Sequence, residues 1–132
     1  MEPSDYVAAT GIGVSDLEAS ACFYEAALGM RRVGAITLPH LDEIILTHHG
    51  RNALVLMHWK DGSVPTYNNL PVMLGFLVDD PQAVTDRIRC AGGTVTREPA
   101  QMDDFGVIGL ARDPDGYVIE LMQTPPPRGL VL

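Results

Sequence analysis

Basic residues are scarce in this sequence of 132 residues: 9 Lys and Arg stand against 17 Asp and Glu, which gives a formal net charge of -8 at pH 7. A chain this acidic is repelled by the phosphates of nucleic acids and by anionic lipid headgroups. We therefore expect neither a nucleic acid nor a membrane surface among the partners of this protein.

Cysteine is rare, and long apolar runs are missing. The two cysteines, Cys22 and Cys90, fall in segments with helical patterns, and the first residues include Glu2 and Asp5 rather than an apolar signal. Two thiols do not make a disulfide framework, and no apolar run approaches the ~20 residues of a membrane-spanning helix. These features predict a cytoplasmic protein with reduced cysteines.

A turn near the end of the chain is the most informative local signal. Asp113-Pro114-Asp115-Gly116 is typical of a tight turn, because proline fixes φ and glycine tolerates a positive φ. Apolar stretches lie on both sides of it, which predicts a β-hairpin. Within the second of these strands stands one acid, Glu120. A carboxylate in an otherwise apolar strand is rare unless it is paired or has a function.

The order of patterns in the first half of the chain, β-α-β-β-β, occurs again in the second half. Val14-Ser15-Asp16 precedes the first predicted helix, and Val78-Asp79-Asp80 precedes the second, about 64 positions later. This predicts an α+β protein of two βαβββ modules that form a cupped mixed sheet with the helices outside. Within one domain, 1–132, module one covers about 5–60, a linker 61–71, module two 72–123 and a Pro-rich tail 124–132.

Both predicted helices begin with capping residues. Ser15 followed by Glu18 three positions later fits a capping box, with Ser15 as the N-cap. Asp80 followed by Pro81 fits the start of the second helix.

Residues two apart on a strand share a face, so each predicted strand has a bulky face and a small or flexible one. The bulky faces are expected to pack under the helices, and the others to line a cavity with one acid in it. The predicted cavity residues are Ala9, Gly11 and Gly13, then Val55 and Met57, then Met73, Gly75 and Leu77, and finally Val118, Glu120 and Met122. Trp59 is expected at the mouth of the cavity and Phe105, at the start of the seventh strand, at its border.

Several motifs together resemble the vicinal-oxygen-chelate superfamily, which includes glyoxalase I, extradiol dioxygenases, methylmalonyl-CoA epimerase and the bleomycin-resistance proteins. The likeness is strongest to small bacterial glyoxalase I. It covers nearly the whole chain and implies two βαβββ modules around a small-molecule site, usually in a homodimer. The motifs are Val14-Ser15-Asp16-Leu17-Glu18, Phe23-Tyr24, Leu28-Gly29-Met30, Gly92-Gly93, Val95-Thr96-Arg97-Glu98 and Asp113-Pro114-Asp115-Gly116-Tyr117 with Ile119-Glu120-Leu121.

The resemblance also implies where a metal would bind. Glyoxalase I holds a divalent metal with four ligands from the first, fourth, fifth and eighth strands, typically His, Glu, His and Glu. In this sequence those positions hold Ala9, Val55, Met73 and Glu120. A thioether suits only soft metals, and one carboxylate does not hold Zn²⁺ or Ni²⁺. We therefore predict no metal and no other cofactor.

Histidines elsewhere in module one could in principle rebuild a metal site. His48 and His49 are adjacent in a predicted strand and therefore point to opposite faces. His58 has the wrong parity to replace Val55. His40 completes the set, and solvent-facing or hydrogen-bonded histidines are the favoured interpretation.

Three functions are compatible with these residues. The leading hypothesis is a metal-independent lyase or isomerase of glyoxalase type that uses Glu120 as acid or base, since in glyoxalase I the matching glutamate is both ligand and base. In that hypothesis Ala9, Val55, Met57, Trp59, Met73, Phe105 and Met122 contact the substrate. The alternatives are a non-catalytic small-molecule or antibiotic-binding protein, and a metal-dependent enzyme like lactoylglutathione lyase with relocated ligands. Glu120 could also be a structural carboxylate paired with Arg31, Arg112 or a hydroxyl.

Overall fold

A computed structural model of the chain describes residues 5–67 and 70–123. The predicted α+β class and the order β-α-β-β-β in each half are confirmed. The predicted tail, 124–132, and two residues of the predicted linker, Asn68 and Asn69, lie outside the described residues. The chain divides into two compact units that follow the two modules, except that Ala26–Leu28 belongs to the second unit.

Module one contains β1 (Ala9–Gly13), α1 (Leu17–Leu28), β2 (Arg31–Thr37), β3 (Leu41–His48) and β4 (Arg51–Trp59). Its four strands form one sheet in the order β1-β4-β3-β2, in which only β1 and β4 run parallel. Pairing with β4 sets the ends of β1, at Ala9 and Gly13, and of β3, at Leu41 and His48.

Alternation along β4 separates the core of module one from its other face. Leu54 and Leu56 are 4% and 0% exposed, whereas Val55 and Met57 are half-buried. The guanidinium of Arg32 on β2 donates hydrogen bonds to Glu18 and Glu25 of α1. Since Arg32 pairs with the fully buried Leu46 in the sheet, α1 lies on the side of the core.

Module two repeats this arrangement. Its elements are β5 (Met73–Val78), α2 (Pro81–Cys90), β6 (Thr94–Gln101), a short 3-10 helix (Asp103–Phe105), β7 (Val107–Arg112) and β8 (Val118–Gln123). The strand order is β5-β8-β7-β6, again with one parallel pair, β5 and β8. α2 buries Val84 and Ile88 and contacts β6, β7 and β8.

The start of α1 differs from the prediction. The N-cap is Asp16, whose carboxylate accepts a hydrogen bond from the backbone N–H of Ala19, so the capping box that begins at Ser15 is wrong. Asp16 has the extended backbone and short acceptor that an N-cap requires, and Glu18 is drawn away by Arg32. At α2 the predicted cap, Asp80, with Pro81 after it, is confirmed.

The Asp-Pro-Asp-Gly hairpin is held by a buried carboxylate. Asp113 is 4% exposed, and its Oδ1 accepts hydrogen bonds from the backbone N–H groups of Asp115, at 3.0 Å, and Tyr117, at 2.9 Å. Gly116 has a φ of 98°, the left-handed conformation that glycine tolerates. This turn fixes the register of β7 against β8 and thereby the position of Glu120.

Both cysteines are free thiols on the surface, Cys22 on α1 and Cys90 on α2. In the part of the chain that the structure describes, neither helix is long and apolar enough to cross a membrane.

Candidate functional site

Glu120 lies on the face of β8 that is turned away from the core. Its neighbours Ile119 and Leu121 are both 0% exposed, on the side that α2 covers, whereas Val118, Glu120 and Met122 are half-buried. We call the side of each sheet opposite its helix the open face. In module two the open face includes Met73, Gly75 and Leu77 of β5 with Val118, Glu120 and Met122 of β8. The predicted assignment of faces along these strands is therefore confirmed.

Two small or apolar residues flank Glu120 across the sheet. Gly75 pairs with it from β5, and Leu110 pairs with it from β7. Among residues 5–67 and 70–123, no hydrogen bond or ion pair is found for the Glu120 carboxylate. Arg112, which we considered as its partner, donates from Nη1 to the carbonyl oxygen of Gly116 instead. The carboxylate thus faces an apolar strip with its oxygens available to a ligand.

The four positions that correspond to the glyoxalase ligands occupy equivalent places in the two sheets. Ala9 on β1 pairs with Ala53, two residues before Val55 on β4. Met73 on β5 pairs with Val118, two residues before Glu120 on β8. Each module therefore brings its two residues together diagonally on its open face. The convergence of both pairs on one pocket stays a prediction.

Two methionines cover glycines on the open faces. The terminal methyl carbon of Met122 lies 3.4 Å from the point where a Cβ on Gly75 would stand. In module one, Met57 covers Gly11 in the same way, at 3.0 Å. Flexible thioethers thus fill the space beside Val55 and Glu120, which suits a surface that adapts to apolar or planar ligands.

The two aromatic residues named from the sequence differ in their surroundings. Trp59 is half-buried, has the same strand parity as Val55 and Met57, and pairs with Leu41. Phe105 is 60% exposed and belongs to the short 3-10 helix before β7, not to the strand itself. The prediction that Phe105 begins the seventh strand is therefore wrong by two residues. β7 begins at Val107 because Gly106, with a φ of 83°, interrupts the extended backbone.

The residues at the four ligand positions do not fit a divalent metal. Alanine and valine carry no donor atom, and the Met73 thioether is a poor ligand for Zn²⁺ or Ni²⁺. Within the described residues, no three His, Cys, Asp or Glu side chains lie close enough together to hold one ion.

The four histidines of module one are also separated. His48 ends β3, and His49 lies in the following turn with a φ of 51°, so the prediction that both belong to one strand is wrong. His58 lies with Nδ1 3.0 Å from the carbonyl oxygen of Val14, and His40 is exposed. They provide no replacement for the donors missing at Ala9 and Val55.

A family model, the Glyoxalase/Bleomycin resistance protein/Dioxygenase superfamily, matches residues 5–121. The chain belongs to this superfamily. The resemblance to vicinal-oxygen-chelate proteins is therefore confirmed, and with it the glyoxalase-like character of the protein.

Curated and solved relatives agree with this assignment. The probable lactoylglutathione lyase of Synechocystis sp. is 38% identical over 124 residues, which cover 87% of this chain and 92% of that protein. The lactoylglutathione lyase of Haemophilus influenzae is 30% identical over 120 residues, covering 86% and 89%. A glyoxalase-related enzyme from Fulvimarina pelagi superposes with a TM-score of 0.68 at 28% identity, over 91% of this chain and 88% of that one.

Two charged residues on the open faces of this glyoxalase-like protein were missed from the sequence. Glu43 on β3 pairs with Met57 and Ile36, so it lies on the open face of module one, half-buried. The alternation Leu41, Glu43, Ile45 could have indicated it. Arg97 on β6 lies on the open face of module two, but the irregular pairing of β6 hides its direction from the sequence.

A cleft of about 410 Å³ lies in module one beside α1 and the strands β2 and β3, and open-face residues such as Gly34 and Glu43 line it together with residues of the helix side. Leu17, Ala35 and Ile44 are among its lining residues, and Arg32 at its rim is engaged by Glu18. None of the predicted site residues lines it.

Proposed function

We propose that this protein is a metal-independent lyase or isomerase of glyoxalase type in which the Glu120 carboxylate transfers a proton on a small carbonyl compound. One observation carries the proposal: Glu120 stands on the open face of module two, between Gly75 and Leu110, while the three other ligand positions offer no donor for a hard metal. A glutamate at this family position can still accept and return a proton when the other three ligand residues are missing.

The proposed step needs no oxidant or reductant. A Glu120 oxygen takes the proton from a carbon next to the substrate carbonyl, and the electron pair of that C–H bond forms the double bond of an enolate. When the deprotonated carbon bears a hydroxyl group, this intermediate is an enediolate: the resulting carboxylic acid returns the proton to the former carbonyl carbon, the hydroxyl proton passes to the former carbonyl oxygen, and the hydroxyl-bearing carbon becomes the new carbonyl. In a lyase, a leaving group on the next carbon departs with its own bonding pair while the carbonyl re-forms and the electron pair of the broken C–H bond makes a new double bond. We expect apolar side chains on the same face, such as Leu110 and Met122, to exclude water from one side of the carboxyl when the substrate is bound, which strengthens its interaction with the developing charge.

The names of the relatives suggest the first substrate to assay. With methylglyoxal and glutathione as substrates, we expect protein dialysed against a chelator to form lactoylglutathione or to turn over another 2-oxoaldehyde adduct. Glu120→Gln should lower kcat by at least about a hundredfold, because it removes the proton acceptor but keeps the shape. Glu98→Gln is the matched control, since Glu98 forms an ion pair with Arg89 on the helix side.

Two results would contradict the proposal. Full turnover by Glu120→Gln would remove this residue from the chemistry. Activity that appears only after Ni²⁺, Zn²⁺, Fe²⁺ or Mn²⁺ is added, with one equivalent of metal bound per chain, would favour the metal-dependent alternative.

A binding protein is the second candidate, and the exposed apolar residues of β5 favour it. Met73 is 57% exposed and Leu77 is 43% exposed, both on the open face. Such a surface can hold a planar ligand without reacting with it. Recovery of the ligand unchanged after long incubation with active concentrations of protein would support binding over catalysis.

The same exposed surface motivates the proposal of a homodimer, in which a second copy covers the open face, in a cytoplasmic protein that acts on a small molecule. Sedimentation velocity tests the dimer directly. We expect twice the chain mass at micromolar concentration, and the chain mass after Leu77→Asp, which places a charge in the covered surface. The wild-type chain sedimenting as a monomer would contradict this.

A further inference from the structure

One row of paired residues crosses all four strands of module two. Gly75 on β5 pairs with Glu120 on β8, Glu120 with Leu110 on β7, and Leu110 with Arg97 on β6. We call these four residues the Glu120 row. Residues that pair across neighbouring strands point to the same side of a sheet. The row therefore places a carboxylate, Glu120, and a guanidinium group, Arg97, on one open face, with Leu110 between them.

The residue after Arg97 lies on the other side of β6. Glu98 pairs with Arg89 of α2, so its side chain lies on the helix side of β6. Arg97 itself pairs with Leu110, which pairs with Glu120, and this pairing directs Arg97 to the open face. The register of β6 shifts on both sides of Arg97, and its pairing with Leu110 stands between these two irregularities.

The positive charge of Arg97 is not balanced by an ion pair among the described residues. Its Nη2 donates to the thioether sulfur of Met102 at 2.8 Å, and within the described residues no carboxylate lies in ion-pair distance of it. Arg112 lies on the same face, paired with Val118, and donates to a backbone carbonyl oxygen. Among the strand residues of module two that the structure describes, the open face thus has two guanidinium groups, Arg97 and Arg112, and one carboxylate, Glu120, although the whole chain has a net charge of -8.

The corresponding row of module one serves as an internal comparison. It consists of Gly11, Val55, Ile45 and Gly34, which pair across β1, β4, β3 and β2. None of these four residues is charged. The fold therefore does not need charge in this row, and the acid and the arginine of module two require another explanation.

We propose that Arg97 binds an anionic group of the substrate, and that the substrate is a carbonyl compound bearing a carboxylate, phosphate or sulfonate group at one end. The acidic carbon of the substrate faces Glu120, an apolar segment lies over Leu110, and the anion reaches the guanidinium. Two strand spacings, about 10 Å, separate the backbones of Glu120 and Arg97. The assignment of the acidic carbon rests on the proposed role of Glu120, whereas the anion site does not.

A pair of probes that differ only in charge tests this site. The anionic 8-anilinonaphthalene-1-sulfonate and the neutral N-phenyl-1-naphthylamine share the same aromatic body, and both fluoresce on binding. We expect Arg97→Gln to weaken binding of the sulfonate roughly tenfold, because a charge-assisted hydrogen bond is lost, and to leave the neutral probe unchanged. Arg97→Lys should retain part of the preference, and salt should reduce it in the wild type.

Matched variants separate this proposal from the proposed reaction. Arg51→Gln removes the same charge from an exposed position of module one and should behave like the wild type with both probes. Glu120→Gln should bind the sulfonate at least as well as the wild type while turnover is lost. If Arg97→Gln and the wild type prefer the sulfonate equally, or if the wild type shows no preference for it, Arg97 is not an anion site, whatever Glu120 does. Turnover that survives Glu120→Gln would overturn the reaction and leave the anion site standing.

Discussion

The terminal methyl carbon of Met57 lies 3.0 Å from the point that a Cβ on Gly11 would occupy, and its sulfur lies 3.3 Å from that point. Met122 stands over Gly75 in the same way, at 3.4 Å. Each methionine therefore takes the room that the glycine of the neighbouring parallel strand leaves. The two pairs occupy equivalent places in their modules, which ties the packing of both open faces to glycine on β1 and on β5.

Alanine at these two glycines should have different effects. Neither Gly11 nor Gly75 has a positive φ, so alanine is free of backbone strain and should stabilise through the unfolded state by about 0.5 kcal/mol at Gly75. At Gly11 the thioether must move, and we expect the free energy of unfolding to be about 1 kcal/mol lower than for Gly75→Ala. In a Met57→Ala background this difference should disappear, as measured by urea denaturation. Equal effects of Gly11→Ala in both backgrounds would contradict the contact.

The buried carboxylate of the hairpin should be the most sensitive polar group of module two. Asp113→Ala removes the acceptor of two backbone N–H groups, and we expect it to lower the free energy of unfolding by about 2–4 kcal/mol. Asp113→Asn keeps one acceptor and should cost less. The exposed Asp104, replaced by alanine, is the control, with an expected change within about 0.5 kcal/mol. Thermal and urea unfolding of the three variants would measure this order.

Capping residues give a further test of the fold. Asp16→Ala and Asp80→Ala each remove the side-chain acceptor of a first-turn N–H group, so each should lower the free energy of unfolding by about 1 kcal/mol. Ser15→Ala should cost less than Asp16→Ala. The reverse order would restore the capping box that the sequence predicted, and chemical denaturation of the three variants decides between them.

Arg32 controls the titration of an acid on α1. Hydrogen bonds from the Arg32 guanidinium hold the pKa of Glu18 below its ordinary value of 4.5. A carboxyl group whose pKa is lower in the folded state than in the unfolded state stabilises the protein at pH values above its unfolded pKa. This contribution is lost as the pH falls through the folded pKa, which lies below 4.5. In an NMR titration, Arg32→Gln should move the Glu18 midpoint upward, whereas Arg51→Gln should not. An unchanged midpoint in Arg32→Gln would show that the pair does not persist in solution.

Restoring the missing donors should create a metal site if the four ligand positions converge. We expect no tight binding of Ni²⁺ or Zn²⁺ to the wild-type chain in calorimetry. The variant Ala9→His, Val55→Glu, Met73→His should bind one equivalent per chain with Glu120 as the fourth ligand. Adding Glu120→Gln to this variant should weaken binding at least tenfold. No gain of metal affinity in a folded triple variant would mean that the four positions do not meet.

Strand parity allowed much of the fold and part of the site to be predicted. The buried Leu54 and Leu56 and the half-buried Glu120 follow from alternation along a single strand, which the sequence records directly. The repeated order of elements could also be predicted, because each half of the sequence contains its own helix-capping and turn residues. The start of α1 was assigned to the wrong residue because Ser15 and Asp16 are both good caps, and only the hydrogen bond to Ala19 distinguishes them.

Relationships between strands were harder to predict. The Glu120 row depends on the register of β6 against β7, which shifts on both sides of Arg97 and leaves no regular pattern in the sequence. The contact between the Met57 side chain on β4 and Gly11 on β1 was likewise unpredictable, because it depends on how the methionine side chain is directed towards the neighbouring strand. Glu43 was missed for a simpler reason, since the four ligand positions of the family fall on β1, β4, β5 and β8 and none of them lies on β3.

The contrast between the two rows bears on how a duplicated protein can acquire new specificity. The sheet of module two accommodates glutamate and arginine in places where the first half of the chain has Val55 and Gly34. We expect the equivalent places of the first half to tolerate charge as well, because both sheets share one architecture. Val55 and Gly34 are then the positions at which substitution can introduce a new ligand preference, while the acid in the other half remains unchanged.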